Sequence, residues 1–337
     1  MFFRSKSFAI DLGNNNTLLT DKENILLSQP SYIVFDKYNN AVKAVGSSAY
    51  DIYEKSHDDL RAVKPLRWGV ISDYESATKM IRELVSTIYT RKTRFGGFDN
   101  IISGVPFSTT EVERRALRDA LDQFNSRKRH LLFEPLAAAM GMGLDIRQPD
   151  GRMVIDIGGG ITEIVVISLS GVAVFDSTKV AGDSFNEDIQ DYFRRARGIN
   201  IGLKTAERVK IQVGSALEKI SDPPEPYLVH GKDILEGIPV VRKTDHTEIA
   251  CVLDKSIRSI EEDILHTLEA CPPELAADIW TNGVYVTGGG ALLRGLKERL
   301  EASIQLKVHI DPQPLVSVSK GISKALANPE KFKNLFI

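Results

Sequence analysis

The chain has 337 residues, more than one compact core usually holds, so two domains are expected. Its 42% hydrophobic and 26% charged residues describe a folded chain, and a formal net charge of -2 excludes a protein drawn globally to nucleic acid or another polyanion. Cys251 and Cys271 have neither metal-ligand nor disulfide spacing, which points to a reducing cytosol and two buried thiols; the sequence shows neither a membrane-spanning run nor a signal peptide at M-F-F-R-S-K-S.

The first element is F-A-I-D-L-G-N-N-N-T-L-L from Phe8, an apolar strand that delivers Asp11 into a tight turn and is followed by a second strand. Another strand begins at Ser31, and the stretch to about Trp68 reads as an irregular inserted subdomain. Ala77, Ile81, Leu84, Val85 and Ile88 give Tyr74–Tyr89 a helical period. A basic, aromatic loop follows from Thr90, then the strand N-I-I-S-G-V-P. The next helix carries two overlapping capping boxes, Ser108 with Glu111 and Thr110 with Glu113. A strand L-L-F then leads into E-P-L-A-A-A-M-G-M-G, whose small residues suit close helix packing.

The opening device returns at Val154 as V-I-D-I-G-G-G-I-T-E-I-V-V-I. Helical patterns start at G-D-S-F-N-E-D-I and T-A-E-R-V-K, and Pro223, Pro224 and Pro226 break the chain before a strand-rich excursion to about Val241. A long apolar stripe from Ile249 to Leu268 marks a core helix. Last comes strand, glycine turn and helix in G-V-Y-V-T-G-G-G-A-L-L-R-G-L, where Gly288, Gly289 and Gly290 would let backbone approach a ring or a phosphate.

Either hairpin alone would be an ordinary Asn- or Gly-closed turn. Two copies, with Asp11 and Asp156 each leading a domain-sized stretch, instead describe two related halves that share a nucleoside triphosphate. Gly13 and the run Gly158, Gly159, Gly160 allow backbone N–H groups to converge on phosphate. Asp11 and Asp156 would hold a hydrated Mg²⁺, with Thr17 and Thr162 adding hydroxyls and Asn14, Asn15 and Asn16 donating from amides. The pattern G-x-x-x-x-G-K-[ST] is absent, so the site is not a P-loop.

Taken in order, D-L-G-N-N-N-T, G-V-P with E-V-E-R-R-A-L, E-P-L-A-A-A-M-G-M-G, D-I-G-G-G-I-T-E, A-G-D-S-F, T-A-E-R-V-K, C-P-P-E-L-A-A-D-I and T-G-G-G-A-L-L-R-G-L closely resemble the MreB family of bacterial actin-like cell-shape proteins. The likeness runs from about Phe8 to Ala327. It implies an α/β actin-like fold, two RNase H-like lobes around a nucleotide cleft. Lobe I would be residues 1–145 plus 312–337, with an insert at about 31–72, and lobe II residues 146–311, with an insert at about 181–243.

The resemblance also implies roles. The two hairpins would be the phosphate loops, and Glu134 would position the attacking water. Glu207 and Lys210 would contact the nucleoside, with Gly182, Asp183, Gly289 and Leu292 walling the pocket. Ile161 stands where the family usually has a Thr that polarises that water, so ATP hydrolysis should be slow. Phe133 and Asn14 are two further departures, in place of a frequent Glu and Thr. Phe2 and Phe3 beside Arg4 and Lys6, and Phe95 and Phe98 beside Arg91, Lys92 and Arg94, would anchor the chain on an anionic leaflet. The implied protein is a weak Mg-ATPase in the cytoplasm, peripheral on the inner face of the membrane. It would polymerise with itself and organise the membrane proteins of cell-wall elongation, without nucleic-acid partners. An actin-fold small-molecule kinase or a chaperone-like ATPase are the alternatives.

Overall fold

The computed structural model describes residues 6–55, 57–89 and 97–337. The chain divides into two units: the chain up to Pro149 with Ser168–Gly171 and Leu315–Ile337, and Asp150–Ile167 with Val172–Pro314.

In the first unit, β1 (Ser7–Leu12), β2 (Asn16–Thr20) and β3 (Ile25–Pro30) form a meander. Then come β4 (Ile33–Asp36), β5 (Val42–Val45), α1 (Ser47–Ile52), β6 (Leu60–Val63), β7 (Leu66–Arg67) and β8 (Val70–Ile71). After α2 (Tyr74–Ile88) the chain alternates through β9 (Phe98–Val105), α3 (Glu111–Asp122), β10 (Ser126–Phe133) and α4 (Glu134–Gly141). The main sheet has the order β10-β9-β1-β2-β3. The insert that reads as irregular is in fact a small sheet, β5-β4-β6, because Tyr32, Val34 and Ala49 build a core of their own with the rings of Tyr50 and Tyr53.

Of the two possible capping boxes before α3, the structure uses Thr110 with Glu113. The Glu113 carboxylate accepts from Thr110 N at 2.8 Å, and Thr110 Oγ1 accepts from Glu113 N. Glu111 is drawn away by Arg114 and Arg118.

The second unit repeats the plan. It contains β11 (Arg152–Ile157), β12 (Thr162–Ser168), β13 (Gly171–Thr178), α5 (Gly182–Ala196), β14 (Ile199–Asn200) and α6 (Leu203–Val213). The hairpin β15 (Tyr227–Asp233) and β16 (Pro239–Thr244) follows, then α7 (His246–Glu269), α8 (Pro273–Asn282), β17 (Val284–Thr287), α9 (Leu296–Ile304) and β18 (Val308–Ile310). Its sheet order, β13-β12-β11-β17-β18, matches the first sheet strand for strand, with antiparallel hairpins and parallel crossovers in the same places. The chain then closes into the first unit with α10 (Ser317–Ala327).

Hydrophobic burial drives both units. Ile249, Leu253, Ile257, Ile260 and Ile264 on α7 lie in one core with Phe185, Ile189 and Phe193 on α5. One expectation fails here: Cys251 is exposed and its thiol donates to Glu218 at 3.4 Å, because it lies off the buried stripe of α7.

Candidate functional site

The two glycine hairpins coincide residue for residue. In the first, Leu12 pairs with Thr17 and Asp11 with Leu18; in the second, Ile157 pairs with Thr162 and Asp156 with Glu163. Both turns need a residue without Cβ at the same point. A Cβ on Gly13 would lie 2.7 Å from Asn16 O, and one on Gly158 would lie 2.9 Å from Ile161 O. Each strand–turn–strand unit therefore sets an Asp at the last turn-facing positions of the inner strand. Ile161 is the counterpart of Asn16, so the second turn carries a hydrocarbon where the first carries an amide.

The hydroxyls behave differently from the expectation drawn from sequence. Thr17 and Thr162 are both fully buried. Thr162 Oγ1 donates to Val180 O at 2.7 Å. Ser31 Oγ donates to Gly13 O at 2.7 Å, which leaves Thr17 Oγ1 to donate to Ser31 Oγ at 2.9 Å. Both threonines are thus spent on fastening the turns to the fold, which corrects their assignment to phosphate or metal. A buried carbonyl facing a strand residue demands a donor, and Thr is the β-former that carries one.

The second turn is joined directly to a helix. Gly182 N donates to Gly158 O at 3.0 Å and Asp183 N to Gly159 O at 2.7 Å, so the first turn of α5 is spliced onto the glycine run. Lys210 Nζ, from α6, donates to Gly182 O at 2.7 Å, and Glu207 lies half-buried one turn before it. Gly182, Asp183, Glu207 and Lys210 are therefore brought to one place beside Gly158 and Gly159.

The third glycine cluster packs on the same strand end. Gly288 has φ +81°, and a Cβ there would lie 2.3 Å from Asp156 Oδ1 and 2.4 Å from Ile157 O. Gly289 to Leu292 form a short 3-10 turn in which Leu292 is exposed. Burial raises the Asp156 carboxyl to a pKa of about 6. A partly desolvated carboxylate next to a glycine turn fits a cation, so the residues present suit Mg²⁺ on a phosphate.

In the first unit, Asn14 is buried, Asn15 O accepts from Ser31 N at 2.8 Å, and Asn16 is exposed. Glu134 opens α4 directly from β10, with Pro135 behind it as the helix start. Its side chain lies over Gly104 at the end of β9, where a Cβ would come within 3.2 Å of Glu134 Cγ. Phe133 packs on Phe107 with ring centroids 4.6 Å apart, so its ring is an apolar prop for this junction.

Comparison with known proteins agrees with this geometry. The family model for MreB/Mbl protein matches residues 5–334. The chain belongs to the MreB/Mbl family. It is 37% identical over 327 residues to the cell shape-determining protein MreB of Escherichia coli (strain K12), covering 96% of this chain and 93% of that protein. It is 34% identical to the cell shape-determining protein Mbl of Bacillus subtilis (strain 168), with 97% of both chains covered. Among solved structures it is similar to MreB 5 of Spiroplasma citri bound to AMPPNP, at 33% identity and a TM-score of 0.92 over 98% of both chains. The MamK double helical filament shares the fold, with a TM-score of 0.77 and 20% identity over 96% of this chain and 99% of that one. The actin-like two-lobed fold expected from the motifs is therefore the fold of this chain.

One residue of the expected membrane anchors is misplaced. Phe98 is 2% exposed and packs edge-on against Phe8 and Tyr89, at 4.9 and 5.1 Å between ring centroids. It begins β9 and points into the core of its unit, so it cannot enter a lipid layer. Phe2, Phe3 and Phe95 lie outside the described residues. Three site features escape the motif reading. Ser31 was legible only as a strand start, Glu163 is 2% exposed across from Asp156, and Asn186 lies one helical turn after Gly182. Helical spacing from Gly182 is the signal that would have found Asn186.

Proposed function

We propose that this chain binds ATP with Mg²⁺ through its two equivalent hairpin turns and assembles into filaments that lie on the anionic inner leaflet and organise cell-wall synthesis. The observation that carries the nucleotide reading is the residue-for-residue match of the two turns, each led by an Asp and pinned by a buried Thr. Support also comes from the MreB 5 structures of Spiroplasma citri, bound to AMPPNP and to ADP.

Asp11 and Asp156 would hold Mg²⁺ through water, and the bound ion would neutralise phosphate charge. The turns orient the phosphates, and Glu134 holds and accepts a proton from the attacking water. Ile161 brings no hydrogen-bonding group to that water, so turnover is slow while binding is kept. Filament assembly is supported by membership in a family of cell shape-determining proteins and by the likeness of the fold to the MamK filament, and membrane attachment by the aromatic and basic residues near Phe2 and Phe95. Calorimetric titration with ATP tests the site: Asp11→Ala and Asp156→Ala should each weaken binding in Mg²⁺ and change it little in chelator. Equal Mg-dependent affinity in wild type and both variants would overturn the reading.

A further inference from the structure

Strand β10 lies at the edge of the first sheet, where outward N–H and C=O groups need cover. Its first half carries the exposed Arg127, Lys128 and Arg129, whereas Leu131 and Leu132 are at most 1% exposed. What covers them is the chain beyond α10. A 3-10 turn at Lys333–Leu335 brings it back antiparallel to the end of β10, where Ile337 N donates to Leu131 O at 3.0 Å and Leu131 N donates to Ile337 O at 3.4 Å. Leu335 is buried, and the Phe336 ring stacks on His130 with centroids 4.3 Å apart. Lys128 and Glu330 add an exposed ion pair at 3.5 Å, which contributes little by itself.

The covered strand runs straight into Glu134. Phe133 ends β10 and Glu134 begins α4 with no loop between them, so slack in the strand end passes to that carboxylate. The helix side of the junction is held by α10: a Cβ on Gly321 would lie 1.8 Å from Ala137 O, and Lys324 Nζ donates to Met140 O at 2.6 Å. The strand side is held by β9 on one edge and by the returning segment on the other. One stretch of chain, from α10 to Ile337, therefore grips the β10–α4 junction on both sides.

The ring stack is also sensitive to protons. Burial first, and then Lys128, hold the His130 imidazole below its ordinary range, with Glu330 pulling the other way. Across the strand pair its neighbour on β9 is the apolar Ile102. A proton on His130 places charge beside Lys128 in a half-buried stack, so the grip is full when the ring is neutral and loosens as pH falls.

We propose that Phe336 is a positioning residue for Glu134: stacked on His130, it clasps the returning segment to the end of β10 and so fixes the strand from which Glu134 starts. The inference rests on the reading of Glu134 as the group that holds the attacking water.

The test uses the full chain as wild type, Phe336→Ala, Phe336→Trp and His130→Phe. In nucleotide-free protein, hydrogen exchange at the Leu131 amide should quicken about tenfold in Phe336→Ala and stay slow in Phe336→Trp. At saturating Mg-ATP, phosphate release should fall about tenfold in Phe336→Ala and be restored in Phe336→Trp, with ATP affinity by calorimetric titration unchanged in both. Between about pH 8 and 5, release should fall more steeply with acid in wild type than in His130→Phe, whose ring keeps the stack and takes no proton. The groups of the nucleotide site are the same in both proteins, so the difference between the profiles belongs to His130. Unchanged exchange or unchanged release in Phe336→Ala would overturn the proposal. So would a loss of release in step with ATP affinity, or parallel pH profiles in wild type and His130→Phe. Release that survives Glu134→Ala, or wild type that binds no ATP, would instead refute the underlying reading, and this proposal with it.

Discussion

Thr162→Val separates a fastening role from a phosphate-binding one. Valine has nearly the same shape as threonine, so the cavity at this fully buried position stays filled and only the 2.7 Å bond to Val180 O is lost. The Val180 carbonyl then has no donor in place of the hydroxyl, and leaving one buried acceptor unpaired costs about 1–3 kcal/mol. For a unit of this size that is a fall of roughly 2–12 °C in Tm. Urea and thermal unfolding of nucleotide-free protein in chelator reads the effect directly. ATP affinity should fall less than tenfold, because the glycine turn keeps its splice to α5 through Gly182 and Asp183. Unchanged nucleotide-free stability together with a large loss of ATP affinity would refute the reasoning and return the hydroxyl to the phosphate.

Burial raises the Asp156 carboxyl from 3.8 to about 6, so the folded state holds its proton more tightly than the unfolded chain. Stability from this group is full below about pH 4 and is lost as pH rises through 6, by roughly 1–3 kcal/mol given its partial contact with solvent. Asp156→Asn should flatten that fall in urea unfolding between pH 4 and 7 in chelator; parallel wild-type and variant curves would contradict it. Phe98→Ser should cost at least about 3 kcal/mol by emptying a packed aromatic site, and calorimetry should show it whether or not lipid is present. Ile161→Thr should raise phosphate release from assembled protein, on the order of 10²-fold where the hydroxyl orients the water, and equal rates would make the isoleucine neutral.

Much of the fold was legible because it is written twice. The repeated D-x-G turn at Asp11 and Asp156 and the apolar stripes of α2 and α7 are local patterns, and local periodicity survives into the structure. What was not legible depends on partners remote in sequence. Nothing near Thr17 announces Ser31, and nothing near Thr162 announces Val180, yet those partners decide where each hydroxyl points. Phe98 sits beside a basic loop in sequence but belongs to β9, and strand alternation turns it inward onto Phe8. The small sheet of the first insert was hidden because its core, Tyr32, Val34 and Ala49, is too sparse to give a period.

Electron microscopy of the purified full chain on anionic lipid, with Mg²⁺ and either ATP or no nucleotide, tests the central claim most directly. The account predicts filaments attached to the lipid with Mg-ATP and none without nucleotide. Filaments that form equally without nucleotide, or their absence in Mg-ATP at concentrations where ATP is bound, would contradict it.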